Sequence, residues 1–164
     1  MKSTFPCLVL AMASGAEAQD AGGPMQVIVA TPQELAVSQS ASNTVGVSQV
    51  GGQSAKMLYG DPTKPQLYTV LLRLEPHKRI MQPLSHPDSR FVTVLSGKFY
   101  VGWGDTYDAT KLKELAAGGI YTEPANANHF GETRDEPAMV AITGYGPSGT
   151  TYANAADAPG KVKN

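Results

Sequence analysis

From Gln66 to Leu74 the chain alternates: Tyr68, Val70, Leu72 and Leu74 share one face, while Thr69, Leu71 and Arg73 share the other. A period of two marks a strand with one face in a core, and it argues for β here. Shorter runs of the same kind recur at Ala55–Tyr59, Phe91–Leu95, Lys98–Trp103, Ile120–Glu123 and Met139–Thr143. Turn residues separate them: Gly60-Asp61-Pro62, Lys64-Pro65, Ser96-Gly97 and the polar turn around Asp135. Phe91–Trp103 is expected to be a β-hairpin turning at Ser96-Gly97, because glycine accepts a positive φ without steric cost. Met25–Ala30 is a further strand candidate. One segment, Asp105–Ala116, reads as a short helix with Asp105 or Asp108 as N-cap and Gly118-Gly119 as its stop. Many short strands and one helix point to an all-β fold, an antiparallel jelly-roll barrel.

Two stretches place a histidine among prolines and turn residues beside an apolar run. They are Lys78–Gly97 (KRIMQPLSHPDSRFVTVLSG) and Gly118–Thr133 (GGIYTEPANANHFGET). Their spacing resembles the two motifs of the cupin superfamily. The pattern G-x5-H-x-H-x3-E-x6-G lays Lys78, Leu84, His86, Arg90 and Gly97 on its fixed positions, and G-x5-P-x-G-x2-H-x3-N lays Gly118, Pro124, Asn126, His129 and Thr133 on its own. The phrases FVTVLSGKFYVGWGD and GYGPSGT are similar to secreted members of that family. The resemblance implies a cupin β-barrel with the short helix between the two motifs.

The resemblance also implies a metal site of three histidines and one glutamate, which this chain would present as Leu84, His86, Arg90 and His129. Leucine has no lone pair, and a guanidinium is a permanent cation that only donates. The inherited metal set thus shrinks to His86 and His129, a weak or empty site for Mn, Fe, Cu, Zn or Ni. Gln82, Asp88, Glu123 and Glu132 are further donor candidates if the backbone turns their way. The pocket is expected to hold Gln82, His86, Arg90 and His129, since alternate residues of a regular strand face inward. Arg90 either enters the barrel to meet Glu123, Glu132 or a ligand anion, or lies at the mouth and pairs with Asp88. The two histidines are metal ligands, an acid/base pair, or relics bonded to barrel neighbours. His77, in a Pro-His-Lys-Arg turn, is expected to face solvent. Tyr100 and Trp103 are core aromatics or pocket walls.

At the front, Lys2 precedes an apolar stretch from Phe5 to Ala13, and Ala16-Glu17-Ala18 offers small residues where a signal peptidase cleaves. The run is far shorter than the roughly 20 residues of a membrane span. A buried N-terminal helix is the rival interpretation. The single cysteine, Cys7, lies within the expected signal, so the mature chain would hold no disulfide. The domain plan is then a signal at 1–18, an arm at 19–54, the barrel at 55–147 and an irregular tail at 148–164. A net charge of −1 with scattered lysines gives no footprint for nucleic acid. No membrane association is expected after cleavage. Three functions remain open: a periplasmic or secreted barrel binding a small molecule, an anion among the candidates; a metal-dependent oxidoreductase, lyase or isomerase using His86 and His129; and a structural barrel. The aromatic and β-branched flank suggests a homodimer. Protein recovered outside the cytoplasm is expected to begin near Gln19 and to be dimeric. Intact mass and light scattering of that material check both; retention of residues 1–18 or a monomer at high concentration would contradict them.

Overall fold

The computed structural model describes residues 25–35 and 53–158; the expected signal, Cys7 and most of the expected arm lie outside the described residues. Among the described residues ten strands run in order: β1 (Gln53–Tyr59), β2 (Leu67–Leu74), β3 (Arg79–Ser85), β4 (Arg90–Ser96), β5 (Lys98–Trp103), β6 (Lys113–Ala116), β7 (Ile120–Glu123), β8 (His129–Glu132), β9 (Ala138–Tyr145) and β10 (Thr151–Tyr152). They form two five-stranded sheets, ordered β1-β2-β9-β4-β7 and β10-β3-β8-β5-β6, with every pairing antiparallel. This is the all-β jelly-roll expected from the strand spacing. The face of β2 carrying Tyr68, Val70, Leu72 and Leu74 is buried, and it packs with Val92, Val94, Val140, Ile142, Phe99 and Val101. Alternation on three neighbouring strands of one sheet thus builds most of the core.

Three local expectations are corrected. β4 and β5 have the expected limits and turn at Gly97 with φ +70°, but they do not form a hairpin. β4 pairs with β7 and β9 while β5 pairs with β6 and β8, so the turn is a corner between the two sheets. A two-residue turn signal is the same for either outcome; which strands lie alongside decides between them.

The helix expected over Asp105–Ala116 is absent. The Asp108 side chain accepts from Thr110 N at 2.9 Å and caps a single 3-10 turn, Ala109–Lys111. The remainder becomes β6, because β5 offers it a free edge and a Lys98–Glu114–Tyr100 cluster at 2.8 Å per contact. Ladder pairing overrides a modest helix propensity. Met25–Ala30, the third case, is exposed and forms no strand, since no sheet edge pairs with it. Part of the segment read as a tail, in contrast, pairs as β10 with β3.

A Cβ on Gly97 would stand 1.9 Å from the carbonyl oxygen of Pro137, in a left-handed conformation that side chains disfavour. Gly97→Ala should therefore destabilise the fold by about 2 kcal/mol or more. Chemical denaturation of the variant measures this, and an unchanged midpoint would show that the corner is not held as described.

Candidate metal centre

Four strand ends deliver the site. His86 comes directly after β3 in the Ser85-His86-Pro87-Asp88 turn, Arg90 opens β4, Glu123 ends β7 and His129 opens β8. All four side chains are buried and line one cavity with Leu84, Tyr121 and apolar core residues. Arg90 and Glu123 are direct cross-strand partners in the β4–β7 ladder. Arg90 Nε donates to Glu123 Oε2 at 2.5 Å, and Nη2 closes on the same oxygen. The other oxygen, Oε1, lies 3.4 Å from His129 Nε2, while His86 Nε2 is 3.9 Å from Oε2. The imidazole rings sit 5.3 Å apart, centroid to centroid.

Of the residues expected in the pocket, His86, Arg90 and His129 come together and Gln82 does not. Ile80 and Leu84 line the cavity, but β3 shifts register between them and Gln82 falls off the inward row. Arg90 takes the inward alternative. Asp88 turns elsewhere, accepting from Tyr68 and Ser148. Glu132 is buried on the far side of β8, held by Tyr107, Arg79 and Arg134. His77 is exposed, with φ +55°. Tyr100 bonds to Glu114, and Trp103 rests edge-on against Tyr121; neither lines the cavity. The residue that the motif spacing left out is Glu123. Its signal in the sequence is its place directly before Pro124 in the second motif; its pairing with Arg90 is visible only in the β4–β7 register.

No protein-family model and no curated protein sequence matches this chain. Solved structures do match. A sugar phosphate isomerase from a cupin superfamily, from Silicibacter pomeroyi, superposes with TM-score 0.50 at 21% identity, over 69% of this chain and 77% of that one. A double-stranded β-helix protein from Klebsiella pneumoniae matches with TM-score 0.51 at 21% identity, over 67% and 90% of the two chains. The chain has the cupin fold. A salicylate 1,2-dioxygenase from Pseudaminobacter salicylatoxidans matches with TM-score 0.53 at 14% identity; 65% of this chain spans only 32% of the dioxygenase.

Within this cupin barrel the site holds three donors rather than two. His86 Nδ1 lies 2.5 Å from the Gly149 carbonyl and His129 Nδ1 lies 3.3 Å from the Ala127 carbonyl. A carbonyl only accepts, so both Nδ1 atoms carry the proton and both Nε2 atoms present a lone pair to the cavity. Burial, then the Arg90 charge, pushes the His86 pKa down to about 3; burial lowers His129 as well, against the pull of Glu123. Both rings are therefore neutral near pH 7. Burial would raise the Glu123 pKa, but the Arg90 charge, together with the two histidines, holds it below its ordinary value. Burial and the Glu123 charge push the Tyr121 phenol well above its ordinary range.

Two lone pairs and a carboxylate thus converge without a proton among them. His86 Nε2 is buried without a hydrogen-bond partner. Donor atoms from His86, Glu123 and His129 all lie within 4.8 Å of one another. Two imidazole nitrogens and one carboxylate oxygen suit a divalent transition ion, and the Nδ1 bonds to backbone carbonyls are what orients a ligating histidine. The residues fit such an ion.

Because His86 titrates near 6.5 when unfolded and near 3 when folded, the unfolded chain binds the extra proton between those values. Its contribution to stability is complete above 6.5 and is lost as pH falls toward 3; the lowered Glu123 acts with the same sign at lower pH. Metal-free protein should lose about 2 kcal/mol between pH ~7.5 and ~5, and His86→Gln should flatten that loss. Urea titrations at the two pH values measure it. A loss of equal size in the variant would show that His86 is not the group responsible.

Proposed function

We propose that this chain is an exported cupin that holds a divalent transition ion through His86 Nε2, His129 Nε2 and Glu123 Oε1, and receives a small anionic molecule beside Arg90. The observation that carries this reading is the unpartnered, buried Nε2 of His86 facing a carboxylate. Such a group is costly unless a cation or a donor meets it. The cavity has a volume of about 30 Å³. That is room for about two waters, hence an ion with one water or with the polar head of a ligand whose body lies toward the mouth. A bound ion would act as a Lewis acid or oxygen-activating centre. The chain's own residues supply the rest. Arg90 anchors Glu123 by one oxygen, leaving the other turned toward His129, and adds the positive charge that favours an anion. Leu84 and the core side chains keep bulk water out.

Isomerase and dioxygenase activities both occur on this fold, in the Silicibacter and Pseudaminobacter proteins, so metal-dependent catalysis is part of the proposal. A second reading, a barrel without metal closed by its ion pair, is favoured by Arg90 itself. At about 5 Å and an effective dielectric near 20, each like charge opposes the ion by roughly 3 kcal/mol. The homodimer is proposed through the outer face of the β1-β2-β9-β4-β7 sheet, where Leu67, Phe91, Ile120 and Tyr145 are exposed on one side.

Metal titration decides between the two readings. The unmodified protein should bind about one equivalent of Mn, Fe, Ni, Cu or Zn. Glu123→Gln should weaken binding at least about tenfold, equivalent to ~1.4 kcal/mol. Leu84→His, which points a third imidazole into the cavity from the partner position of His129, should strengthen it by at least about the same factor. Absence of binding in the unmodified protein, with gain only in Leu84→His, would favour the metal-free barrel. Unchanged affinity in Glu123→Gln would place the ion elsewhere.

A further inference from the structure

The carbonyl that orients His86 belongs to Gly149, beyond the last long strand. Residues 146–153 return across the end of the barrel as a strap. Gly146 N donates to Gln66 O at 3.0 Å, Ser148 N to Pro62 O at 2.7 Å and Ala153 N to Pro83 O at 2.8 Å. Thr151 and Tyr152 pair with Ser85 and Leu84, so the strap also runs along the strand that leads into His86.

One side-chain network, half-buried at the strap and buried at its core end, ties this strap to the core beside the histidine. Ser148 Oγ donates to Asp88 Oδ1 at 2.7 Å, and the Tyr68 hydroxyl donates to Asp88 Oδ2 at 2.6 Å. Tyr68 and Asp88 are both buried. A Cβ on Gly144 would stand 2.6 Å from both Asp88 Oδ2 and the Tyr68 hydroxyl, so β9 carries no side chain where the network crosses it. Each Asp88 oxygen thus serves one hydroxyl: one anchored in β2, the other in the residue next to Gly149.

We propose that Ser148, through Asp88 and Tyr68, is a positioning residue that selects the tautomer of His86. A neutral imidazole has two tautomers. With Gly149 O in place, the proton stays on Nδ1 and the Nε2 lone pair faces Glu123. With Gly149 displaced, the proton moves to Nε2, which then donates to Glu123 Oε2 across what is now a 3.9 Å gap. That second arrangement consumes the lone pair and one carboxylate oxygen together. The strap therefore holds open a site that would otherwise close as a histidine–glutamate hydrogen bond. Its bearing on metal rests on the function proposed above; the tautomer selection itself does not.

Long-range proton–nitrogen correlation spectra of the full, metal-free chain with labelled histidines read the tautomer at one fixed, neutral pH. The unmodified protein should show His86 protonated at Nδ1 and bare at Nε2. Ser148→Ala should move a large share of the population to Nε2–H and lower affinity for added zinc about tenfold, and Ser148→Thr, which keeps the hydroxyl, should restore both. A folded Ser148→Ala retaining the Nδ1–H signature would overturn the proposal. Should that variant not fold, Tyr68→Phe, which removes only the hydroxyl from the same network, must show the same shift, and its failure to do so would overturn the proposal equally. A tautomer shift in protein that binds no zinc at all would leave the strap's role standing and remove the metal reading.

Discussion

The ion pair between Arg90 and Glu123 organises everything around it. Two opposite charges enter a largely apolar barrel, and neither is tolerable there without the other. Their cross-strand register locks β7 onto β4. Their convergence on one carboxylate oxygen leaves the second turned toward His129. The guanidinium also helps to lower the His86 pKa, so the carboxylate's own counter-charge keeps the neighbouring imidazole neutral. Removing either partner alone would strand a buried charge, at a cost of about 3–5 kcal/mol.

Strand positions were readable because a period of two is an imprint of burial on one face, which Tyr68, Val70, Leu72 and Leu74 bear, although Leu71 on the opposite face is buried as well. Partnership between strands was not, since it depends on residues far away. Ser96-Gly97 announces a reversal but not whether β4 and β5 stay side by side. Asp105–Ala116 illustrates the same limit: Asp108 caps a turn as a capping residue should, yet an open edge on β5 captures residues 113–116.

The site was readable to the extent that motif spacing transfers backbone position. Leu84, His86, Arg90 and His129 do converge on one cavity, as the cupin resemblance implied. What spacing could not carry is compensation across strands. With arginine at the position where the motif has glutamate, a carboxylate on the adjacent strand restores an acidic donor, and only the β4–β7 register reveals it. Gln82 fails for the complementary reason, a register shift that no composition signal marks. The Gly149 carbonyl is a backbone atom with no side chain to advertise it.

The position of β9 between β2 and β4 has a temporal consequence. Thr69 and Thr143, which touch across β2 and β9 at 3.0 Å, are 74 residues apart. A chain emerging from the ribosome can pair β1 with β2 early, but the first sheet has no centre until β9 arrives, and such non-local pairing is slow to form. Gly149 comes later still. The His86 imidazole is thus oriented only once residues beyond β9 have been synthesised and laid across the barrel end, so that a correctly configured His86 reports completed folding rather than preceding it.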